Sequence, residues 1–231
     1  MGGRINIAID GHSSCGKGTL AKNLAKELGY TFVDSGAMYR AVTHYLLSNN
    51  IPLSEVSEDP ALLGNIKIAF EYDPEREYFK TMLNGKCIED DIRGMHVSRN
   101  VSPVSAIKEV RDFLVAKQKE MGEAKGVVMD GRDIGTVVFP EAELKIFMTA
   151  SAEIRAKRRF LELDKKGVHV NYEEILHNIK ERDFIDSTRV ESPLKKAEDA
   201  ITLDNSAMSK DEQARLALSW ARGVIKSIAT T

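Results

Sequence analysis

The 231-residue chain carries 33 lysines and arginines against 35 aspartates and glutamates, a formal net charge of −2, with 42% apolar and 29% charged residues. This mixture excludes wholesale disorder, and the near-neutral balance gives no global attraction to nucleic acid or an anionic membrane, so any basic site has to be local. No apolar run reaches membrane-spanning length, and two cysteines, Cys15 and Cys87, are too few for a disulfide framework or a metal site.

In chain order, the start Met1-Gly2-Gly3-Arg4 lacks a signal-peptide pattern, and Asn6 stands where myristoylation of Gly2 needs Ser or Thr, so a cytoplasmic location is expected. Ile7-Ala8-Ile9-Asp10 reads as a buried strand running into the loop Gly11-His12-Ser13-Ser14-Cys15-Gly16-Lys17-Gly18-Thr19. Gly11 to Lys17 fit the start of the phosphate-cradling pattern G-x-x-x-x-G-K-[ST], with Gly18 in the hydroxyl position and Thr19 supplying a hydroxyl one residue later. Such a turn can also serve only to join strand to helix. Here the helix the pattern requires follows, since Leu20, Leu24 and Leu28 recur at helical spacing beside Ala21 and Ala25. Loop amides, Lys17 and the positive helix end suit a nucleoside triphosphate.

Thr31-Phe32-Val33 is a short strand, and Asp34-Ser35-Gly36 opens a helix turning Met38, Ala41, Val42, Tyr45 and Leu46 inward. The alternating Ile66–Tyr72 and the pair Tyr78–Leu83 and Lys86–Ile88 across Asn84-Gly85 predict an antiparallel unit, about 63–104 with its flanks. Gly126–Asp130 and Leu144–Met148 are further buried strands. Ser151 can cap a helix bearing Arg155, Arg158 and Arg159 at i, i+3, i+4. Ala200–Leu203 is the last strand, followed by a helix with a Ser209/Glu212 capping box whose apolar side carries Leu216, Trp220 and Ile225, Trp220 reading as core. The alternation of strands and helices predicts an α/β fold, a parallel sheet flanked by helices with one antiparallel insertion.

A phosphate-binding loop is shared by motors, switches and kinases, so the second ligand decides the function. Several arginines near the carboxyl ends of parallel strands, where an open sheet binds ligands, suit a second phosphate compound. No N-K-x-D-type guanine reader occurs, which weighs against a regulatory ATPase or switch without removing it.

From its first strand to its final helix the chain resembles the bacterial-type cytidylate kinases, within the nucleoside monophosphate kinase group of P-loop proteins. The resemblance rests on Gly11–Thr19, Asp34-Ser35-Gly36-Ala37-Met38-Tyr39-Arg40, Asp130–Pro140, Lys180-Glu181-Arg182-Asp183 and the inserted unit. It implies a P-loop kinase core over 1–62 and 105–231, with a lid at about 155–170 and an inserted NMP-binding subdomain at 63–104. It also implies transfer of the γ-phosphoryl group of ATP to CMP or dCMP with Mg²⁺, by a monomer with no nucleic-acid or membrane partner. A kinase that also accepts UMP is the alternative.

By the same resemblance Lys17 bridges the transferred phosphoryl group and the β-phosphate, Thr19 joins the Mg²⁺ shell, and Arg40 and Arg132 hold the acceptor's phosphate. Ser102, Arg111 and Asp133 correspond to the cytosine readers, and Ser35, Arg182 and Asp186 to ligands of the sugar and phosphate region. Arg189 corresponds to a residue reaching the transferring phosphate, as Arg155 and Arg159 would from a mobile lid. His12 and Cys15 depart from the common pattern. His12 is not needed as a base, because a phosphate dianion needs little deprotonation. Cys15, at a helix N-terminus, is a candidate reactive thiol that ATP would shield. Asp130 either assists the metal or fixes its turn, and the loop Asp204-Asn205-Ser206 is a candidate adenine edge.

Overall fold

The computed structural model describes residues 3–73, 78–165 and 167–230, apart from the side chains of Tyr72 and Tyr78. Gly2 and part of the expected insertion and lid (74–77 and Lys166) therefore lie outside the described residues. In chain order the elements are β1 (Ile7–Gly11), α1 (Lys17–Leu28), β2 (Thr31–Asp34), α2 (Ser35–Ser48), α3 (Leu53–Glu58), β3 (Ile68–Asp73), β4 (Tyr78–Leu83), β5 (Lys86–Cys87), α4 (Met95–Ser105), α5 (Lys108–Gly122), β6 (Val127–Gly131), β7 (Leu144–Thr149), α6 (Ala152–Lys165), α7 (Tyr172–Thr188), β8 (Ile201–Asp204) and α8 (Lys210–Thr230). They form two compact units, Met1–Asp34 with Gln118–Thr231, and Ser35–Lys117.

The first unit is built on a five-stranded sheet of order β2-β6-β1-β7-β8. All its pairings are parallel. Every residue of β1 and β6 is buried, as central strands covered on both faces must be, which is why Ile7, Ala8 and Ile9 run without polar alternation. β1 lies between β6 and β7, so the ligand crevice of such a sheet falls at the ends of these three strands, where Gly11 and Gly131 stand. Gly11 has φ 149°, and a Cβ there would lie 2.2 Å from the Met148 carbonyl oxygen, so only glycine lets the loop leave β1 beside β7. α1 buries Leu20, Ala21, Leu24 and Ala25.

The second unit holds α2, the antiparallel sheet β3-β4-β5 and α4. Asn84 and Gly85 join β4 to β5 with φ of 49° and 80°, the left-handed pair a two-residue hairpin demands. Met38, Ala41, Val42 and Leu46 of α2 are buried, whereas Tyr45 is half-exposed. The strands begin and end slightly differently from expectation: Ile66 and Ile88 are buried but flank β3 and β5 rather than belonging to them.

The Ser209/Glu212 capping box is formed, with Ser209 N and Oγ both donating to Glu212 Oε2 at 2.8 and 2.7 Å. The buried spine of α8 is Gln213, Ala217 and Ala221, the two alanines letting the helix pack close. Leu216, Trp220 and Ile225 lie beside that spine and are only half-buried, which corrects the placement of Trp220 in the core.

Candidate active site

The loop between β1 and α1 is tied to its surroundings through its carbonyl groups. Lys17 Nζ donates to His12 O at 2.7 Å, Arg155 Nη1 to Ser13 O at 3.1 Å and Asn205 Nδ2 to Cys15 O at 2.7 Å. Lys17 is 5% exposed. Burial lowers its pKa, and so does the Arg132 charge, with Cys15, Asp130 and Asp10 opposing both. An ammonium under that pressure gains most from an added anion. Gly16 and Gly18 flank it, and a Cβ on Gly18 would lie 3.9 Å from Asp130 Oδ1, so the absence of a side chain there leaves room before a carboxylate.

Asp10 is held differently. Its carboxylate accepts from Ile134 N at 2.8 Å and Gly135 N at 2.7 Å, pinning the π-helical turn Ile134–Val138 to the end of β1. Burial raises its pKa to about 6, against the lowering effect of those two amides, and the Asp133 charge adds to the rise. That turn follows directly on Arg132 and Asp133, so Asp10 fixes where these two begin.

Around Arg132 the charges are dense. Its Nε donates to Asp186 Oδ2 at 2.8 Å, and Asp186 is also 4.0 Å from Arg189 Nη1. Burial works against the Arg132 cation, but Asp186 more than offsets it and raises the pKa. Burial likewise works against the Asp186 carboxylate, which Arg132, Arg182 and Arg189 hold below its ordinary range. Arg189 donates through Nε and Nη2 to Ser192 O at 3.0 and 2.7 Å and lies 3.9 Å from Asp133 Oδ1. Arg182 is the strained member. Its Nε is buried without a hydrogen-bond partner among the described residues, and burial together with the Arg132 charge lowers its pKa to about 10. A guanidinium disfavoured first by burial and then by the Arg132 cation gains from an anion brought beside it.

Beside the loop lies a cleft of about 100 Å³ lined by Thr19, Asn23, Arg158, Asn205, Met208 and Gln213 among others. Arg158 is fixed at its edge, donating to Asn205 Oδ1 at 3.0 Å and Asn205 O at 2.8 Å.

In the second unit, Arg40 Nη1 donates to Ile92 O and to Ser98 Oγ, both at 3.0 Å. The Arg111 guanidinium lies 5.4 Å from the centroid of the Tyr39 ring and donates to Ser105 O at 3.2 Å. Ser102 is 2% exposed, and its Oγ has no partner among the described residues. Buried hydroxyls are normally paired, so this atom keeps an unused hydrogen-bonding capacity. Ser35, 3% exposed, starts α2.

The family model for cytidylate kinase matches residues 7–222. The chain belongs to the cytidylate kinase family. It is 56% identical over 227 residues to the cytidylate kinase of Bacteroides fragilis, covering 97% of this chain and 99% of that one. The cytidylate kinase of Parabacteroides distasonis is 57% identical over 213 residues, covering 91% of this chain and 93% of its own. That of Flavobacterium psychrophilum is 52% identical over 224 residues, covering 96% and 99%. A crystal structure of a gluconokinase from Sinorhizobium meliloti superposes with a TM-score of 0.52 at 14% identity, covering 97% of this chain and 95% of that chain, a likeness of fold alone.

Of the expected site residues, the first unit holds Gly11–Thr19, Arg132, Asp133, Arg182, Asp186 and Arg189, and the second holds Ser35, Arg40, Ser102 and Arg111. Arg155, Cys15 and Thr19 stand elsewhere than expected. Arg155 is 4% exposed, and it donates to Ala150 O at 2.9 Å, to Ser13 O, and to both Asp183 oxygens at 3.0 and 2.6 Å. It braces the loop. Arg159, one helical turn later, forms an i,i+3 pair with Glu162 at 3.0 Å. Cys15 is fully buried with Sγ donating to His12 O at 3.0 Å, so its thiol is sequestered rather than poised for reaction. Thr19, the expected metal ligand, is exposed and lines the cleft, while Gly18 is the position facing Asp130. Successive helical residues point about 100° apart, which separates the two.

His12 Nδ1 lies 3.4 Å from Asp183 Oδ1, and its ring meets Phe147 edge-on at 6.5 Å, a packing role with no proton to take. Two further residues shape the site without an expected role: Asp10, signalled by a carboxylate near the end of an otherwise apolar strand, and Asp183, signalled only as part of the Lys180–Asp183 segment because its partners are 28 residues away or more.

Proposed function

We propose that the protein transfers the γ-phosphoryl group of ATP to CMP or dCMP, giving ADP and CDP or dCDP. The observation that carries this is a second group of cations besides buried Lys17: half-buried Arg132, bonded through Nε to Asp186 at 2.8 Å, and buried Arg189, 4.0 Å from the same carboxylate. A triphosphate loop alone needs no second cluster; a site for two phosphate compounds does.

The donor's β- and γ-phosphates lie on the loop 11–19 with Lys17 between them, and its base enters the cleft beside Arg158 and Asn205. The acceptor phosphate is held by Arg132 and Arg40, whose planar guanidinium groups match phosphate oxygens in pairs. An acceptor oxygen forms its bond to the γ-phosphorus as the bond to the β,γ-bridging oxygen breaks, in line. No side chain has to remove a proton, because the attacking phosphate is already ionised. Lys17, Arg132, Arg189 and Arg159 neutralise the charge spread over the transferred group, and Asp186 orients Arg132. Arg155 acts on the loop from behind, through Ser13 O.

Ser102, Arg111 and Asp133 read cytosine. A carboxylate accepts from the exocyclic amine, and a hydroxyl and a guanidinium donate to ring nitrogen and carbonyl. Uracil offers a carbonyl where cytosine has the amine, leaving Asp133 facing an acceptor at a cost of about 1–3 kcal/mol. Ser35, Arg182 and Asp186 take the sugar and phosphate region.

Mg²⁺ fits as an ion carried in by the nucleotide. Among the described residues no group of three or more His, Cys, Asp or Glu is placed to hold a metal, and Asp130 beside Gly18 is the carboxylate that would face it. When bound, the ion screens charge between the β- and γ-phosphates. The segment 63–104 serves as the NMP-binding insertion and about 155–170 as the lid. No helix of the described residues is long and apolar enough to cross a membrane. A monomeric, cytoplasmic enzyme completes the proposal.

The test is an acceptor panel with ATP and Mg²⁺, following nucleoside diphosphate formation. CMP and dCMP should be turned over rapidly and UMP at least about tenfold less efficiently. ATP hydrolysis indifferent to CMP would leave a regulatory ATPase as the better description.

A further inference from the structure

Asn205 was an expected edge for the donor base, yet its hydrogen-bonding groups are taken up by the protein. Nδ2 donates to Cys15 O at 2.7 Å and to Gln213 Oε1 at 2.9 Å. Oδ1 accepts from Arg158 Nη1 at 3.0 Å, the backbone oxygen accepts from Arg158 Nη2 at 2.8 Å, and the backbone N donates to Thr149 O at 3.0 Å. Both amide protons are thus committed, and the residue is 1% exposed. The turn itself does not require asparagine at this position, because Asp204 makes it, accepting from Ser206 N at 2.9 Å. Gln213 is held in its turn by Met208 O, to which its Nε2 donates at 3.1 Å, so the amide of Asn205 is backed by a fixed partner on α8.

What Asn205 grips is the Cys15–Gly16 peptide, one residue before Lys17. Its Nδ2 lies 3.8 Å from where a Cβ on Gly16 would stand. A bond that turns the Cys15 carbonyl toward β8 and α8 fixes the plane of that peptide, and so the direction of the Gly16 N–H in the loop. We propose that Asn205 is a positioning residue for the phosphate donor: it presets the Cys15–Gly16 peptide of the loop and does not itself read the base. This rests on the loop being the ATP site. Preorganised amides pay no reorganisation when the anion arrives, so loosening the peptide should weaken ATP and leave the acceptor alone.

Two substitutions separate positioning from bulk. Asn205→Ala removes the grip. Asn205→Asp keeps the shape and the acceptor for Arg158 but turns a second oxygen toward Cys15 O and Gln213 Oε1, where a donor is needed. Affinities of the full chain for ATP and, separately, for CMP are measured by calorimetry, with circular dichroism confirming that each variant is folded. The expected result is ATP binding weakened about tenfold or more in both variants and CMP binding within about twofold of the parent. Parent-like ATP binding in either variant overturns the proposal, and so does equal weakening of ATP and CMP, which is what general loosening would give. Failure of the parent itself to bind ATP would overturn the kinase reading with it, whereas tight parent binding with indifferent variants overturns the positioning role alone.

Discussion

Replacing Arg132 with lysine tests whether the arginine cluster serves the acceptor. In the structure Arg132 Nε donates to Asp186 at 2.8 Å, and the remaining nitrogens are the ones available for a phosphate, Nη1 reaching only Gly131 O at 3.4 Å. A lysine keeps the charge, so Asp186, 3% exposed, is not left as a lone buried anion. It has one ammonium, however, and cannot hold Asp186 and two phosphate oxygens together. Losing one charge-assisted pair costs about 1.5–3 kcal/mol, or roughly 10- to 150-fold in kcat/KM for CMP. On the proposed assignment ATP is held by the loop, so its KM should stay within about threefold. Steady-state kinetics with each nucleotide varied against saturating partner reads both. Equal losses for ATP and CMP would remove Arg132 from the acceptor site and refute the division of labour drawn above.

Three further outcomes follow from the geometry. Asp10 has a folded pKa of about 6 against 3.8 for the ordinary carboxyl, so its ionisation opposes folding: its contribution is favourable below about pH 4 and is lost as pH rises through 6, by up to about 3 kcal/mol. In urea unfolding at a series of pH values, the difference in stability between the parent and Asp10→Asn should therefore change across that window, and a constant difference would contradict the buried, ionised assignment. Iodoacetamide should label exposed Cys87 and spare buried Cys15 with or without ATP, as read by peptide mass spectrometry; labelling of both at one rate would show the loop to be open. Hydrogen exchange in 63–104 and about 155–170 should slow when a ligand joining ATP and CMP is bound, and unchanged exchange in both would count against closure over the substrates.

The strands and the loop were legible because their signals are local. Ile7–Gly11 is apolar throughout since both faces are covered, and Asn84-Gly85 admits little but a hairpin. The departures arise where a side chain's partner is remote in sequence. The i, i+3, i+4 spacing of Arg155, Arg158 and Arg159 shows only that they share a stripe of α6. That Arg155 turns to Ser13 and Asp183 while Arg158 turns to Asn205 depends on contacts 28 to 142 residues away. Cys15 sits at a helix N-terminus that could activate a thiol, but β7 and the loop's own carbonyl bury it, and burial is not written in the nine-residue motif. Thr19 illustrates the limit of spacing on a helix: one position of offset moves the hydroxyl from Asp130 to the cleft lined by Arg158 and Asn205. Asp10, by contrast, was available to a reader who asked why an acid should end a strand with no exposed residue.

On the proposed function, two phosphate compounds share one set of cations and the phosphoryl group passes directly between them. A single-turnover experiment with ATP labelled in the γ-phosphate, in excess enzyme and CMP, follows the label itself. It should appear in CDP, with free phosphate forming at least about a hundredfold more slowly, because in-line transfer to a held acceptor outruns attack by water. Label released as free phosphate at a rate that CMP does not alter would contradict the account.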